Sequence, residues 1–357
     1  MARTWYVYAD GSGDAPFIQA AVDSAQNGDV ILVGPGSYPE PYVLIESKSL
    51  ELASTDGAEV TQIRQLSLFE PPEETVHSIL VRDLTIEGGE FGFGGFSAYN
   101  LQSFTMTGCV VRGFAYHSLV RNVLEVLISD CTFVDNVATE ANDYGGGALL
   151  VNSRLGGPPI YITDCTFLRN RCPHGSPGHG WEGGGALALS TAINTAYVVS
   201  GCVFYGNEAP TAGAVSAEGC VAFYNNTFIS NRSQDGALYI DSNRCDVSSN
   251  LFVGNEQRGY WASANTNCRC NAYWNNMYGG FYCSEDFRDI DPMLCDPEHG
   301  DYHLAEGSPL AGPFNDGEHD ACEGPIGAFG VGCKATPVVS TSWGAIKAKY
   351  GIVATGR

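Results

Sequence analysis

The sequence predicts an all-β fold: one right-handed parallel β-helix, a single-stranded solenoid closed at its N-terminus by a short helix. Three observations predict it. A six-residue motif recurs along the chain, a Gly-Ala motif recurs between its copies, and the shortest step between copies is close to twenty-two residues. A βαβ unit needs roughly thirty residues. Three short strands and three turns fit the shorter length, and equivalent residues of successive coils then stack at about 4.8 Å.

The first motif reads Cys131-Thr-Phe-Val-Asp-Asn136, Cys165-Thr-Phe-Leu-Arg-Asn170 and Cys202-Val-Phe-Tyr-Gly-Asn207. It continues as Asn226-Thr-Phe-Ile-Ser-Asn231, Asn250-Leu-Phe-Val-Gly-Asn255 and Asn271-Ala-Tyr-Trp-Asn-Asn276, with a looser copy beginning at Cys109. From Cys109 to Asn271 the steps are 22, 34, 37, 24, 24 and 21 residues. Phe at the third position is expected to form an inward stack. Asn at the sixth suits a turn, where its amide satisfies backbone groups and it tolerates left-handed backbone. Cys or Asn at the first position is expected to line one corner. The second motif reads Gly145-Gly-Gly-Ala-Leu149, Gly183-Gly-Gly-Ala-Leu187, Ala212-Gly-Ala-Val215 and Asp235-Gly-Ala-Leu238. Its glycine permits a bend where a side chain would strike the next coil.

Residues 16–25 read as a short amphipathic helix with Pro16 near its first turn. It is expected within a cap over 14–27, covering the open end of the solenoid against edge-to-edge addition. Alternating rungs follow at 42–53 and 77–87. The β-helix is read over 1–333, with an irregular last coil over 284–333. Residues 334–357 form a tail with four basic and no acidic residues, read as a C-terminal cap or a docking segment.

The N-terminal stretch resembles the cap and first coil of the pectate-lyase-like right-handed β-helix superfamily. The Phe-x-x-Asn and Gly-Gly-Ala-Leu pair resembles the repeats of polymorphic outer-membrane proteins, which are autotransporter adhesins. The resemblance spans roughly residues 5–330 and implies the fold; lyases, hydrolases, esterases and adhesins share such coils. No barrel segment follows these repeats.

With 40 acidic against 18 basic residues the formal charge is −22. That charge repels a phosphate backbone, so no nucleic-acid partner is expected. It also opposes a polyuronate unless a cation such as Ca²⁺ or a basic groove intervenes. No apolar run is long enough to span a membrane. Met1-Ala-Arg-Thr-Trp lacks the apolar core of a signal peptide, so the chain is read as starting at its mature end. The fold and the 13 Cys favour secretion to the cell exterior or surface. Cys109, Cys131, Cys165 and Cys202 share one coil position and are read as buried free thiols. Cys268, Cys270, Cys283, Cys295, Cys322 and Cys333 are read as disulfide staples of unspecified pairing.

No catalytic template of the fold is complete. Lyases need an Arg or Lys base. Lys48, Lys334, Lys347 and Lys349 all lie outside the middle coils, leaving Arg112, Arg121, Arg154, Arg169 and Arg171. Gly178-His-Gly180 matches a polygalacturonase element, but the Asp-Asp and Arg-x-Lys elements are missing, as are the paired Asp and Gln of pectin methylesterases. Two adjacent coils are enlarged at the same place, over 137–146 and 171–184, and such insertions often form a binding surface. Asp143, Glu182, His179 and Arg171 are the candidate catalytic residues, with Asp143 and Glu182 as an acid–base pair or cation ligands. Tyr144, Trp181, His174, Arg169 and Glu140 are candidates for holding substrate, the two rings by stacking on sugars. Asp10–Asp14 and Asn315–Asp320 resemble oxygen-rich Ca²⁺ loops. The expectation is a module that binds a polysaccharide or cell-surface glycan without catalysis. The alternative is a polysaccharide lyase or glycoside hydrolase in the cleft of the enlarged loops.

Overall fold

The computed structural model describes residues 2–71, 76–88, 94–139, 146–153, 157–174, 183–191, 196–242, 245–262, 266–277, 283, 286–313 and 322–334. The described strands form a right-handed parallel β-helix of three long sheets. Sheet I has eleven strands, from Thr4–Val7 and Asp29–Val33 to Asn267–Arg269. Sheet II has eleven, from Gly36–Ser37 to Phe287–Arg288, and carries the Phe motif. Sheet III has nine, from Val43–Glu46 to Tyr260–Ala262, and carries the Gly-Ala motif. Every ladder in these three sheets is parallel and joins one coil to the next, as in Thr166↔Val203 and Leu187↔Val215.

The aromatic stack forms as the motif predicts. Phe133, Phe167, Phe204, Phe228, Phe252 and Tyr273 are buried, and successive ring centroids lie 4.8–5.2 Å apart at 6–10° between planes. Sheet spacing sets that separation, and offset stacking adds about 0.5–1.5 kcal/mol per pair beyond burial.

The sixth-position Asn does more, and different, work than a turn residue. Asn136, Asn170, Asn207, Asn231 and Asn255 are buried in a continuous ladder. Each Nδ2 donates to a carbonyl of the preceding coil and to Oδ1 of the next Asn, whose Oδ1 also accepts the backbone N–H. Their own φ values are not left-handed. The residue just before each is: Asp135, Arg169, Gly206, Ser230, Gly254 and Asn275 have φ of 50–63°. The αL corner therefore falls one position earlier than expected, which turns the amide inward to satisfy corner backbone that water cannot reach.

A second ladder runs through the first motif position. Cys109, Cys131, Cys165 and Cys202 are buried free thiols, and burial pushes the thiols of Cys109 and Cys165 well above the ordinary cysteine range. Asn226, Asn250 and Asn271 continue the column. It ends on Asp286, whose Oδ1 accepts the backbone N–H and Nδ2 of Asn271 and whose Oδ2 accepts from Tyr273 Oη and the Cys283 N–H. An acceptor-only group suits the last place, where no further coil requires a donor.

The glycines of the second motif are needed for the reason predicted. A Cβ on Gly147 would lie 2.0 Å from the Gly185 carbonyl oxygen, and one on Gly185 equally close to that of Gly213. Both obstacles are backbone. Gly185→Ala is expected to destabilise the protein by about 2–3 kcal/mol, read as a lowered denaturation midpoint; an unchanged midpoint would rule out this close stacking.

Helix α1, Ile18–Ser24, buries Ile18, Ala21 and Val22 against the first coil. At the other end Leu294–Asp296, Asp301–Ala305 and Val331–Cys333 leave the solenoid as a small mixed sheet. Cys268–Cys283, Cys270–Cys322 and Cys295–Cys333 are disulfides, supplying the pairing that sequence left open. Cys270–Cys322 and Cys295–Cys333 tie the closing segment down. Of the tail, only Lys334 belongs to the described residues. No helix among the described residues is long and apolar enough to cross a membrane.

Candidate functional site on the outer face of sheet III

Alternation along the strands of sheet III sends one set of side chains into the core and the other outward. Leu187 and Leu189 point in, and Ala188 and Ser190 point out. The register brings the outward residues into two rows. One runs Leu44, Ser67, Ser97, Leu119, Leu150, Ala188, Ser216, Tyr239 and Trp261. The other begins Glu46, Phe69, Tyr99, Arg121, Asn152 and Ser190, and reaches Glu218 and Asp241 two and three coils beyond Asn152.

Chemistry is graded along this face. At the N-terminal end a cavity of about 470 Å³ is lined by Tyr42, Phe69 and Tyr99 with Glu46 at its rim. At the C-terminal end Tyr239 and Trp261 stack with centroids 4.5 Å apart. Between them lie Arg121, Asn152 and Ser190, then two carboxylates. Glu218 and Asp241 are register partners on adjacent strands, so their backbones are separated by about 4.8 Å.

The two acids have different surroundings. Asp241 is exposed, while Glu218 is half-buried. Burial first, and then the neighbouring Asp241 charge, hold the Glu218 carboxyl above the ordinary glutamate range, with a Ser190 hydrogen bond pulling the other way. Two carboxyls side by side, one favouring its proton, are the elements of an acid–base pair. The phenols of Tyr99 and Tyr239 are also raised, chiefly by burial, so both rings stay neutral near pH 7.

Among the sequence-predicted residues, Arg169, Arg171 and His174 belong to the described set. Arg169 makes a two-pronged contact with Asp135 of the preceding coil, at 2.8 and 2.7 Å. Arg171 lies in a small ribbon at the corner between sheets II and III, bridged to Val137 and Glu208. Its guanidinium faces Glu208 at 3.4 Å, and Arg232 extends the alternation to Glu256 at 2.7 Å. His174 is exposed. Glu140, Asp143, Tyr144, His179, Trp181 and Glu182 lie outside the described residues. Both enlarged segments fall between a sheet II strand, ending at Val134 or Leu168, and a sheet III strand, beginning at Leu149 or Leu187.

Apart from Arg121, a candidate base in the sequence, the residues on that face escaped the sequence reading, yet a signal for them exists. Counting three positions past the last residue of each Gly-Ala motif gives Asn152, Ser190, Glu218 and Asp241. Period-two alternation from an inward Leu or Val makes that position outward, and the repeat makes it a row.

The Ca²⁺ expectation fares differently. Asp10 Oδ1 accepts the Ser12 N–H, and Asp14 accepts the Tyr6 N–H and faces Arg3. Asp10 caps its own turn while Asp14 is held by Arg3 and by Tyr6 of the first strand, and the two do not converge on six to eight oxygen ligands. The loop at 315–320 lies outside the described residues. Among the described residues, the one cluster of metal-type donors is Cys268, Cys283 and Asp286, where the thiols form a disulfide and the carboxylate accepts four hydrogen bonds.

No family model matches the chain, and no curated protein does. Among solved structures it is similar to a pectin methylesterase from carrot, with 12% identity over 81% of this chain and 89% of that one, at a TM-score of 0.36. It is similar also to an alginate lyase from Paenibacillus sp. str. FPU-7, with 13% identity over 80% of this chain and 98% of that one, at a TM-score of 0.25. Such distant likeness leaves the fold to rest on the strand register above.

Proposed function

We propose that the protein is a polysaccharide-active enzyme, a glycoside hydrolase that binds its glycan along sheet III. The observation that carries this reading is the Glu218–Asp241 pair, register partners on adjacent strands of sheet III, with the Glu218 carboxyl raised. It replaces the non-catalytic module as the main reading, because paired carboxyls in unlike surroundings are what bond cleavage requires. Glu218 acts as the acid, donating its carboxyl proton to the glycosidic oxygen as that bond breaks. Asp241 lies across the scissile bond and stabilises positive charge at the anomeric carbon. The strand spacing of about 4.8 Å favours the short carboxyl separation of retaining enzymes, in which this group attacks directly. Asn152 and Arg121 hydrogen-bond hydroxyls further along, and the rings at either end stack on sugar faces.

Three disulfides fit an oxidising compartment, which supports placing the enzyme outside the cytoplasm. Arg121 is the one basic side chain on the strands of this face, so a lyase would have to use it as base. The assay separates the two: hydrolysis releases reducing ends, whereas β-elimination also creates an unsaturated uronate that absorbs in the ultraviolet.

Glu218→Gln is expected to lower the release of reducing ends by about a hundredfold or more while leaving glycan binding intact. Unchanged release would refute the assignment. Asp241→Asn removes one of the two influences that raise the Glu218 carboxyl. Its titration, followed by carboxyl carbon NMR, is therefore expected to move to lower pH, and a shift to higher pH would contradict the pairing. Retained binding with no product from any polymer would favour the glycan-binding module, for which the N-terminal aromatic cavity is the supporting observation.

A further inference from the structure

We propose that the N-terminal end of the sheet III groove selects a cationic glycan, one carrying free amino groups. The inference rests on the reading that a glycan lies along this face, and it names the class of sugar. The cavity there offers the rings of Tyr42, Phe69 and Tyr99 together with the Glu46 carboxylate. An adjoining cavity of about 370 Å³ shares Tyr42 and Leu44 and adds Phe17 and Glu40.

Glu40 carries the argument beyond a generic sugar platform. Its Oε1 accepts the Gln19 N–H at 2.9 Å. Its Oε2 is shielded from solvent and has no hydrogen-bond donor. A carboxylate oxygen left without a donor is offset by a cation placed beside it. Glu46 adds a carboxylate to the lining of the larger cavity, and the outward row of sheet III holds Glu218 and Asp241 further along with Arg121 as its single cation. A net formal charge of −22 sets the same sign for the whole molecule.

An ammonium group is the complement of both features. It pairs with carboxylates and also sits favourably over aromatic faces within about 6 Å. A neutral sugar would use the rings and leave the charges without a partner. A uronate would place like charges beside Glu40 and Glu46, a juxtaposition that suppresses binding. The pattern thus runs against an anionic polymer and points to an amino sugar.

The test is calorimetric titration of the full chain with three oligosaccharides of equal length: β-linked glucosamine, its N-acetylated form, and galacturonate. The glucosamine form is expected to bind at least about tenfold more tightly than the N-acetylated form at low salt, a gap that narrows as salt screens the charges. Glu46→Gln is expected to remove much of that gap, and Tyr99→Ala to weaken both forms alike. Equal affinity for the amine and its acetylated form overturns the inference, as does tightest binding of galacturonate or no binding of glucosamine. Reducing-end release is measured on all three in parallel. Cleavage of the acetylated or uronate form without preference for the amine would leave the hydrolase reading standing and sink only this one. Preferential amine binding without cleavage would do the reverse.

Discussion

Phe204→Ala is expected to lower stability by about 3–5 kcal/mol. Phe204 is fully buried at the centre of the aromatic column, with ring centroids 4.9 Å from Phe167 and 4.8 Å from Phe228. Truncation removes both ring contacts and opens a void between coils held by backbone hydrogen bonds. Those coils cannot collapse to fill it without breaking the register Thr166↔Val203 and Val203↔Thr227. A solenoid shares stability between neighbouring coils, so the loss should spread to adjacent rungs. Denaturant titration gives the magnitude, and amide hydrogen exchange gives the reach. A loss below about 1 kcal/mol, or exchange changes confined to one coil, would show that the column is not a shared core.

Asn207→Leu is expected to cost a comparable amount for the opposite physical reason. Asn207 Oδ1 accepts the N–H and Nδ2 of Asn170 at 2.9 and 3.0 Å. Its Nδ2 donates to the Phe167 carbonyl and to Asn231 Oδ1, both at 3.0 Å. Leucine fills similar volume, so little cavity forms. It leaves the Asn170 N–H and the Phe167 carbonyl without these partners in a site closed to water, at about 1–3 kcal/mol each. A thermal midpoint unchanged from the parent would mean that the ladder contributes nothing.

Asn207→Asp sharpens the test. The carboxylate can still accept from Asn170, but its second oxygen faces two acceptors, and burial raises its pKa as burial raises that of Asp286. With the folded-state value above the unfolded one, the folded protein holds the proton more tightly. Stability is then present at low pH and is lost as pH rises from the ordinary aspartate range through the raised value. The parent carries such a loss from Asp286 but none from position 207, so the difference between the two pH profiles is the measurement. A variant that gains stability with rising pH would contradict the ladder geometry.

These two columns show how much of the fold was legible in one chain. Six copies of a motif fix a period, and a period near twenty-two residues admits few architectures. Phe at the third position and Gly in the second motif each have one physical use in stacked coils, inward stacking and close backbone approach, and both expectations hold. The role of Asn was half-legible. Its amide was expected to satisfy backbone, but the left-handed corner falls on the preceding residue, where Asp, Arg, Ser, Asn and Gly alternate. A position tolerating so many side chains leaves no compositional trace.

The candidate site was less legible because the insertions carry the more conspicuous side chains. Enlarged loops with acids and aromatic rings look like a site in sequence, whereas Glu218 and Asp241 stand twenty-three positions apart in ordinary rungs. Arg169 appeared as a possible substrate ligand, and the fold gives it to Asp135 one coil away. Such a pairing depends on which residues of consecutive coils are level, and coils here differ in length.

By itself, then, the sequence determined the solenoid, its period, its inward aromatic column, its glycine contacts and the division of ten of its 13 cysteines into buried thiols and staples. All of these follow from local spacing and side-chain type repeated along the chain. Only the tertiary structure decided which staples pair, which corner residue turns left-handed, and which carboxylates meet on the outer face of sheet III. Those depend on register between coils, and register is set by hydrogen bonds between segments that loops of unequal length bring level.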